Sequence, residues 1–229
     1  KVLKNLNFEI EAGKMLALVG RTGAGKTSII SALNRFYKID SGEITIDKIN
    51  IDEISLKSLR KNIALVQQEV FLFSDSIFNN VTLFDSNISK LQVELAAKEI
   101  GVDLFIDTLP GNYDYIVAER GVNLSSGQRQ LIAFLRVYVR NPKILILDEA
   151  TSSVDTETEG LLQLALEKLA SDRTTIVIAH RLSTIVNADK ILHLENGSVL
   201  ESGNHQELLD NKAKYADMFN SQSDTNLSD

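Results

Sequence analysis

The sequence predicts an α/β fold in which helices cover both faces of a mostly parallel β-sheet. Two observations predict it. Short runs of continuous apolar residues, such as ILIL at 144–147 and TTIVIA at 174–179, are typical of strands buried on both faces. Segments with helical periodicity separate such runs along the chain, as in other α/β proteins. With 229 residues, of which 44% are apolar, the chain is long enough to bury a sizeable core.

The segment GRTGAGKTS follows an apolar strand at Met15–Val19 and precedes a run with helical spacing. Its three glycines let the backbone curl so that consecutive N–H groups point at one anion, and the following helix N-terminus also favours negative charge. Lys26 can reach the β- and γ-phosphates of a nucleotide, and the hydroxyl of Thr27 can bind Mg²⁺. We therefore predict a phosphate-binding loop formed by Gly20, Arg21, Thr22, Gly23, Ala24, Gly25, Lys26, Thr27 and Ser28.

The segments on either side of this loop predict further elements. The run Val2–Ile10 alternates in part, which predicts an edge strand of an antiparallel sheet. Residues 39–51 predict a turn, a strand, a turn and a strand, with Ser41-Gly42 in the first turn. Ser55–Leu59 predicts a short helix and Ile63–Val66 a buried strand.

From about residue 70 to about residue 140 the pattern is helical, which predicts an inserted helical region. The segments KLQVELAAKEIGV and DLFIDTL have helical periodicity, and Gly101 and Pro110-Gly111 interrupt them. A longer helix is predicted from Ser125 to Val139.

The last third of the chain returns to a strand pattern. The segment KILHLENGSVLESG predicts a hairpin with Asn196-Gly197 at its turn. Residues 221–229 predict a polar tail that frays.

Composition excludes several classes of protein. The net charge is −7 and the chain has no dense block of Lys or Arg, which argues against nucleic acid as its main partner. The absence of cysteine excludes disulfide bonds and thiolate metal sites. No apolar stretch approaches the roughly 20 residues of a membrane-spanning helix.

Two acidic residues, Asp148 and Glu149, follow the strand at 144–147. Ligands of parallel sheets bind at the carboxyl ends of the strands, so Asp148 is predicted beside the phosphate loop, where it holds Mg²⁺ through a water. Glu149, one residue further, is predicted to polarise an attacking water. The alternative is that the pair only caps the helix that follows the strand.

The three histidines differ in what they suggest. His180 ends an apolar strand and can reach a γ-phosphate or orient the catalytic carboxylate, although a structural role is the alternative. His193 lies within a strand pattern and His205 near the start of a C-terminal helix, so both are predicted to be structural or solvated.

The segment LSSGQRQ places Ser125, Ser126 and Gly127 before a helix, which predicts a second anion site at a helix N-terminus. An ordinary Ser cap is the alternative. A chain that binds one nucleotide has no obvious need for two such sites. A two-fold dimer resolves this, because the second helix end then serves the partner's nucleotide.

Five motifs occur in a fixed order: GRTGAGKT, VQQE, LSSGQRQ, ILILDEATSSVD and IAHRLST. In this set the sequence resembles the nucleotide-binding domain of ATP-binding cassette (ABC) transporters, over nearly the whole chain to about residue 220. The segments YIVAERGVNLSSGQ and IVNADKILHLENGSVLESGNHQELL resemble the exporter branch. The resemblance implies a RecA-like P-loop NTPase core over residues 1–220, with an N-terminal antiparallel β subdomain and an inserted α-helical subdomain at about 70–140.

The resemblance also implies roles for single residues. Lys26, Glu149 and His180 match the catalytic positions, with Glu149 the catalytic carboxylate and His180 the switch histidine. Gln68 matches the Q-loop glutamine, which contacts Mg²⁺ and water at the hinge to the helical subdomain. The implied Mg²⁺ contacts are Thr27, Gln68 and Asp148.

Further matches lie at contacts between domains. Ser125 and Gly127 match signature residues that contact the γ-phosphate bound by the opposite subunit, and Ser126 and Gln128 complete that motif. Two residues lie in the D-loop, which crosses the dimer interface: Ser153 and Asp155. An exporter-specific loop near the coupling helices of the membrane domain is matched by Glu119, Arg120 and Gly121.

Two departures from the family pattern stand out. Ser126 occupies a signature position at which the family usually has glycine, so a Cβ and a hydroxyl enter a tight phosphate contact. The family also stacks adenine on an aromatic residue upstream of the first strand. The first aromatic residue here, Phe8, is predicted to be strand core, so we expect the stacking residue to lie upstream of Lys1.

We therefore expect an ATP-hydrolysing exporter domain that uses ATP and Mg²⁺ and dimerises head to tail, as a homodimer or a heterodimer. Its expected partners are a second nucleotide-binding domain and a transmembrane domain on the same polypeptide, at the cytoplasmic face of the inner membrane. One alternative is a soluble ATP-driven clamp of the same superfamily. Another is a module that uses ATP only to dimerise and does not hydrolyse it.

Overall fold

The computed structural model describes residues 2–148, 156–179 and 182–226. Two short 3₁₀ turns, at Asn112–Asp114 and Glu119–Gly121, lie among its helices and strands. In chain order the other elements are β1 (Met15–Val19), α1 (Lys26–Leu33), β2 (Thr45–Ile46), β3 (Ile49–Asn50), α2 (Leu56–Asn62), β4 (Ile63–Val66), α3 (Ile77–Thr82), α4 (Lys90–Ile100), α5 (Asp103–Ile106), α6 (Ser126–Arg140), β5 (Ile144–Asp148), α7 (Thr156–Ala170), β6 (Thr174–Ile178), α8 (Leu182–Val186), β7 (Lys190–Glu195), β8 (Ser198–Gly203), α9 (His205–Asp210) and α10 (Lys214–Asn226).

The chain forms two compact units. The first, called the sheet unit here, comprises the described residues within 1–65, 144–150 and 174–229. The second, the helical unit, comprises those within 66–143 and 151–173. None of the described helices is both long enough and apolar enough to cross a membrane.

The main sheet has six strands in the order β4-β5-β6-β1-β7-β8. Strand β5 is parallel to β6, β6 to β1 and β1 to β7, whereas β8 pairs antiparallel with β7. Leu16, Ala17 and Leu18 are successive residues of β1 and all are fully buried, so this strand is covered on both faces. The predicted mostly parallel sheet is confirmed. Its topology brings the carboxyl ends of β5, β6, β1 and β7 to one edge.

The predicted edge strand over Val2–Ile10 is wrong, because the described residues of this segment pair with no strand. The alternation does reflect burial, since Leu6, Phe8 and Ile10 pack partly buried against the core of the sheet unit. The backbone is held by isolated contacts, such as the hydrogen bond from Lys4 N to the Gly197 carbonyl (2.8 Å). The alternating pattern thus indicated which side chains face the core but could not supply a strand partner.

The two-stranded sheet β2–β3 is antiparallel, with Ile46 opposite Ile49. Its two turn residues, Asp47 and Lys48, both have positive φ (49° and 68°). This is the backbone of a tight two-residue hairpin, whose twist matches that of the flanking strands. The strand pair predicted within residues 39–51 is therefore confirmed.

Helix α10 extends to Asn226, where the sequence predicts a frayed tail from residue 221. The start of α10 is packed, since Tyr215 and Ala216 are buried, and the helix continues from there into the polar residues.

In the helical unit α6 is the central element, and it packs against α3, α4 and α7. Its core-facing side chains, Leu131, Ile132 and Leu135, are fully buried. Helix α4 begins with a capping box between Ser89 and Gln92 and ends at Gly101, whose φ of 76° suits a glycine. The structure thus has helices where the sequence predicts helical periodicity.

Asn80 is the polar centre of the helical unit, and it is fully buried. Its Oδ1 accepts from Phe73 N (2.8 Å), and its Nδ2 donates to the carbonyls of Phe73 (3.0 Å) and Ser76 (3.0 Å). The guanidinium of Arg136 donates to the Asn80 carbonyl (2.9 Å), and burial lowers the pKa of Arg136 to about 10. One amide therefore satisfies the backbone of an irregular segment that no helix or strand could satisfy.

We expect Asn80→Ala to lower the free energy of unfolding by about 3 kcal/mol, because it removes all the hydrogen bonds of a fully buried amide and takes away the acceptor of Phe73 N. The neighbouring Asn79 is the matched control: its Nδ2 donates one side-chain hydrogen bond, to Asp75 (2.7 Å). For Asn79→Ala we expect a loss of about 1 kcal/mol. Urea denaturation of both variants measures the difference, and equal losses would contradict the role given to Asn80.

Candidate functional site

The loop between β1 and α1 turns at three glycines. Gly20, Gly23 and Gly25 all have positive φ, at 142°, 82° and 110°. Gly25 is the N-cap of α1 and provides no side-chain hydrogen bond. The first N–H groups of α1 therefore have no side-chain acceptor at the cap, which is the arrangement that favours a bound anion.

Lys26 lies at the centre of this loop and is only 8% exposed. Its Nζ donates to the carbonyl oxygens of Gly20 (2.5 Å) and Arg21 (3.1 Å). Burial lowers the pKa of Lys26, and the carboxylate of Asp148 acts in the opposite direction. The loop thus holds a partly desolvated cation on neutral carbonyl groups, which a phosphate oxygen can replace at a gain in Coulomb energy.

The β7–β8 hairpin braces both ends of the loop. A Cβ on Gly20 would clash with the carbonyl oxygen of Leu194 at the end of β7. At the other end of the loop, Gly197 N donates to the Ala24 carbonyl (3.0 Å). The sequence predicted this hairpin and its Asn-Gly turn but gave no sign that the turn contacts the loop, because that contact joins segments more than 170 residues apart.

Asp148 ends β5, where it is half-buried and in register with Ile178 of β6. Strand β6 lies between β5 and β1, so Asp148 and the phosphate loop share one edge of the sheet. The influence of Asp148 on the pKa of Lys26 is the electrostatic result of that placement. Four predicted site residues lie outside the described residues: Glu149, Ser153, Asp155 and His180.

The oxygen donors in place suit Mg²⁺. Thr27 lies in the first turn of α1 with its side chain exposed, and the carboxylate of Asp148 is at the same edge of the sheet. Gln68 follows β4 in an exposed bend of the helical unit. Among the described residues no three His, Cys, Asp or Glu side chains form a metal cage. Mg²⁺ seldom needs one, because it keeps water ligands and binds one or two protein oxygens together with phosphate.

The signature segment forms the N-terminus of α6. Ser125 is the N-cap: its Oγ accepts from Gln128 N (3.2 Å), and Gln128 Oε1 accepts from Ser125 N (3.0 Å). Ser126 is the first helical residue and is exposed, and Gly127 after it is buried. Accepting a hydrogen bond uses a lone pair of Ser125 Oγ and leaves its O–H as a donor. Capping and anion binding are therefore compatible at this residue.

The loop before this helix, which contains Glu119, Arg120 and Gly121, is fixed by two side chains that sequence reasoning missed. Arg129 donates to the carbonyls of Leu124 (2.7 Å) and Gly121 (3.3 Å). Asn123 Oδ1 accepts from Ala118 N (2.9 Å). Both side chains satisfy backbone groups outside helices and strands, a role with no local pattern in the sequence.

Both described histidines lie within the sheet unit and have partners. His193 in β7 is buried and contacts Glu201 through Nδ1 (3.0 Å). His205, the first residue of α9, contacts the hydroxyl of Tyr215 through Nδ1 (2.8 Å). These contacts agree with the structural reading of both residues.

Three comparisons with known proteins bear on this site. A family model described as ABC transporter matches residues 3–152. An ATP-dependent lipid A-core flippase of Pasteurella multocida is 53% identical over 208 residues, which cover 90% of this chain and 36% of the flippase. Multidrug resistance protein pgp-1 of Caenorhabditis elegans is 47% identical over 228 residues, or 100% of this chain and 17% of that protein.

Among solved structures, that of a bacterial Atm1-family ABC exporter with ATP bound matches with a TM-score of 0.88 and 43% identity. The match covers 96% of this chain and 39% of the exporter chain. This chain therefore spans between about a sixth and two fifths of the length of these three proteins.

We expect Gly20→Ala to lower the free energy of unfolding by at least about 3 kcal/mol, because the new Cβ meets the Leu194 carbonyl and the backbone must shift. Gly23 is the matched control, since it also has positive φ but nothing lies within 4 Å of the position of its Cβ. For Gly23→Ala we expect only the cost of a left-handed backbone, about 1 to 2 kcal/mol. Denaturant titration of both variants tests the contact, and similar losses would argue against it.

Proposed function

Since this chain belongs to the ABC transporter family, in which it is the ATP-binding domain, we propose that two copies, or this chain and a related one, close head to tail around two ATP molecules. This closure drives an attached membrane domain of an exporter. The chain spans 36% of the Pasteurella flippase, and the rest of such a protein has room for that membrane domain. The resulting location is the cytoplasmic face of the inner membrane.

One observation carries the proposal: the sheet places a buried lysine, an uncapped helix N-terminus and a carboxylate at the same edge. Lys26 and the start of α1 favour phosphate, and Asp148 is close enough to influence the pKa of Lys26. Phosphoryl transfer requires positioning and charge neutralisation more than covalent chemistry, and these groups supply both.

ATP binding starts at the phosphate loop. The ammonium group of Lys26 leaves the carbonyls of Gly20 and Arg21 and moves onto the β- and γ-phosphate oxygens. The N–H groups of the loop and of the first turn of α1 donate to the same phosphates. The bracing of the loop by Leu194 and Gly197 means that little of its backbone has to be ordered on binding.

We assign Thr27 and Asp148 of the sheet unit to Mg²⁺, and the family pattern assigns Gln68 to the same ion. When bound, the ion neutralises charge that develops on the phosphates. In this chain Thr27 supplies a hydroxyl oxygen from the first turn of α1, and Asp148 supplies a carboxylate from the end of β5.

Glu149 follows Asp148 by one residue, and we assign it to the attacking water. Its carboxylate orients the water and accepts its proton, which are the two needs of a water nucleophile. We assign His180, two residues after the end of β6, to the γ-phosphate or to holding that carboxylate in place. Both assignments follow from the family pattern and from the strands that lead to these residues.

The second copy completes each site. We assign its Ser125 O–H and Gly127 N–H to the γ-phosphate held by the first copy, and its Ser126, Gln128, Ser153 and Asp155 to the same interface. Because the γ-phosphate is the group that both subunits contact, ATP stabilises the closed dimer and ADP does not. That difference in affinity is the free energy available to move the membrane domain.

The names of the relatives favour an exporter over a soluble clamp, since they are a lipid A-core flippase and a multidrug resistance protein. The non-hydrolysing module remains a separate hypothesis, and Glu149 weighs against it. Measuring phosphate release by the wild-type chain in the presence of ATP distinguishes the two.

We expect Glu149→Gln to keep ATP affinity within about twofold, to lower turnover by at least about 100-fold and to accumulate an ATP-bound dimer, because water activation is lost while phosphate binding is kept. Lys26→Ala should instead weaken ATP binding by about tenfold or more. Lys14→Ala is the control for loss of a lysine charge, because Lys14 is exposed and lies just before β1.

These effects are measured by titration with trinitrophenyl-ATP, by phosphate release and by sedimentation velocity. Near-normal turnover by Glu149→Gln would remove Glu149 from its catalytic role. Unchanged affinity in Lys26→Ala would contradict the role of the phosphate loop.

For Ser126→Gly we expect ATP-dependent dimerisation to strengthen about threefold to tenfold, because a Cβ and a hydroxyl leave a tight contact with the partner's γ-phosphate. Binding of ATP to the monomer should not change, since Ser126 does not belong to the phosphate loop. Sedimentation in the Glu149→Gln background measures dimerisation. An unchanged dimer fraction would mean that the serine is neutral.

A further inference from the structure

We propose that His193 and Glu201 are positioning residues for the phosphate loop. Their contact holds the β7–β8 hairpin in the register that shapes the loop, and so sets the affinity of the loop for ATP. Neither side chain belongs to the five ordered motifs, although both lie within the segment at 185–209 that resembles the exporter branch. The inference rests on the proposed function, because it concerns the loop that binds ATP.

The β7–β8 hairpin has an irregular register beside His193. His193 of β7 lies opposite Glu201 of β8, and the ladder shifts between His193 and Leu194. Beyond the shift Leu194 lies opposite Val199. The His193–Glu201 contact is therefore the last cross-strand pair before the irregularity, where the ladder alone fixes register least well.

The residues beyond the register shift contact the phosphate loop. Leu194, whose carbonyl oxygen excludes any side chain at Gly20, is the first residue past it. Gly197, whose N–H binds the Ala24 carbonyl, is three residues further in the turn. In addition, His193 is in parallel register with Val19, the residue before the loop. A change at this pair therefore reaches the loop at its start, at Gly20 and at Ala24.

Glu201 is nearly buried and has few hydrogen-bond partners. The side chains of His193 and Glu201 are only 10% and 12% exposed, and His193 Nδ1 lies 3.0 Å from Glu201 Oε2. The same Oε2 accepts from Tyr215 N (2.8 Å). Glu201 Oε1 is buried and has no hydrogen-bond partner among the described residues. A carboxylate with so few partners cannot lose one without a rearrangement of its surroundings.

Glu201 also anchors the hairpin to α10. Tyr215 N belongs to the first turn of this helix, where N–H groups lack intrahelical acceptors, so Glu201 also caps α10. Tyr215 itself is fully buried. The preceding residue, Lys214, forms an ion pair with Glu195 Oε2 (2.6 Å) beside the hairpin turn. The hairpin is thus held between the phosphate loop and α10.

The chain offers a matched control at the opposite end of β1. Asp189, just before β7, accepts from Met15 N (2.8 Å) and from Lys14 Nζ (2.9 Å). It therefore links the start of β1 to the start of β7, whereas His193 lies further along β7, in register with Val19 at the end of β1. Its loss should lower stability without reaching the loop.

The test compares four variants by trinitrophenyl-ATP titration well below their melting temperatures. His193→Leu, which removes the donor, should raise the Kd for ATP about tenfold. His193→Asn places an amide N–H where Nδ1 was and should stay within about threefold of wild type. Glu201→Gln, which keeps the shape of Glu201, should raise the Kd several-fold. Asp189→Asn should lower the melting temperature and leave the Kd unchanged.

The proposal is overturned if His193→Leu binds ATP like wild type, or if Asp189→Asn weakens binding as much as His193→Leu does. It is also overturned if His193→Asn shows no recovery relative to His193→Leu. If His193→Leu does not fold, Glu201→Gln decides the matter against Asp189→Asn in the same way. Failure of the wild-type chain to bind ATP would instead contradict the proposed function, so the two failures are distinct.

Discussion

The structure depends on one close approach, that of the Leu194 carbonyl to the backbone of Gly20. Because no side chain fits between them, glycine at position 20 lets the end of β1 turn sharply beside β7 and start the loop. The same bend sets where α1 begins, and the first N–H groups of α1 have no side-chain cap. It also places the carbonyls on which Lys26 rests. The anion-binding property of the site thus originates in sheet packing, and the loop sequence alone does not produce it.

Much of the fold could be predicted from the sequence, because most of its elements have local causes. The strand Ile63–Val66 and the Asn196-Gly197 turn lie where the apolar run and the turn residues place them. Prediction of the strand over Val2–Ile10 failed for the opposite reason. Alternation in that segment results from partial burial of Leu6, Phe8 and Ile10, whereas a strand also needs a partner, which the local sequence does not specify.

For the candidate site the division is similar. Loop glycines, Lys26 and the Ser125 cap have fixed spacings with a physical reason, so a sequence reveals them. Arg129 and Glu201 have none, because each satisfies backbone groups that are distant in sequence or irregular in shape. His193 can be noticed in the sequence as a polar residue within an apolar strand. Its partner, Glu201, is identified only in the folded hairpin.

Helices α1 and α6 differ at their N-termini, and on the proposed function this difference sets the order of events. Helix α1 starts at a glycine cap without a side-chain acceptor, so its N–H groups gain most from a phosphate. Helix α6 starts with a complete capping box, so much of its need for an acceptor is met within the chain. What α6 still offers is the O–H of Ser125 and the N–H groups of its first turn. On the proposed function, ATP therefore binds first and tightly to the loop of one copy, and the second copy adds a weaker contact that the presence of the γ-phosphate can make or break.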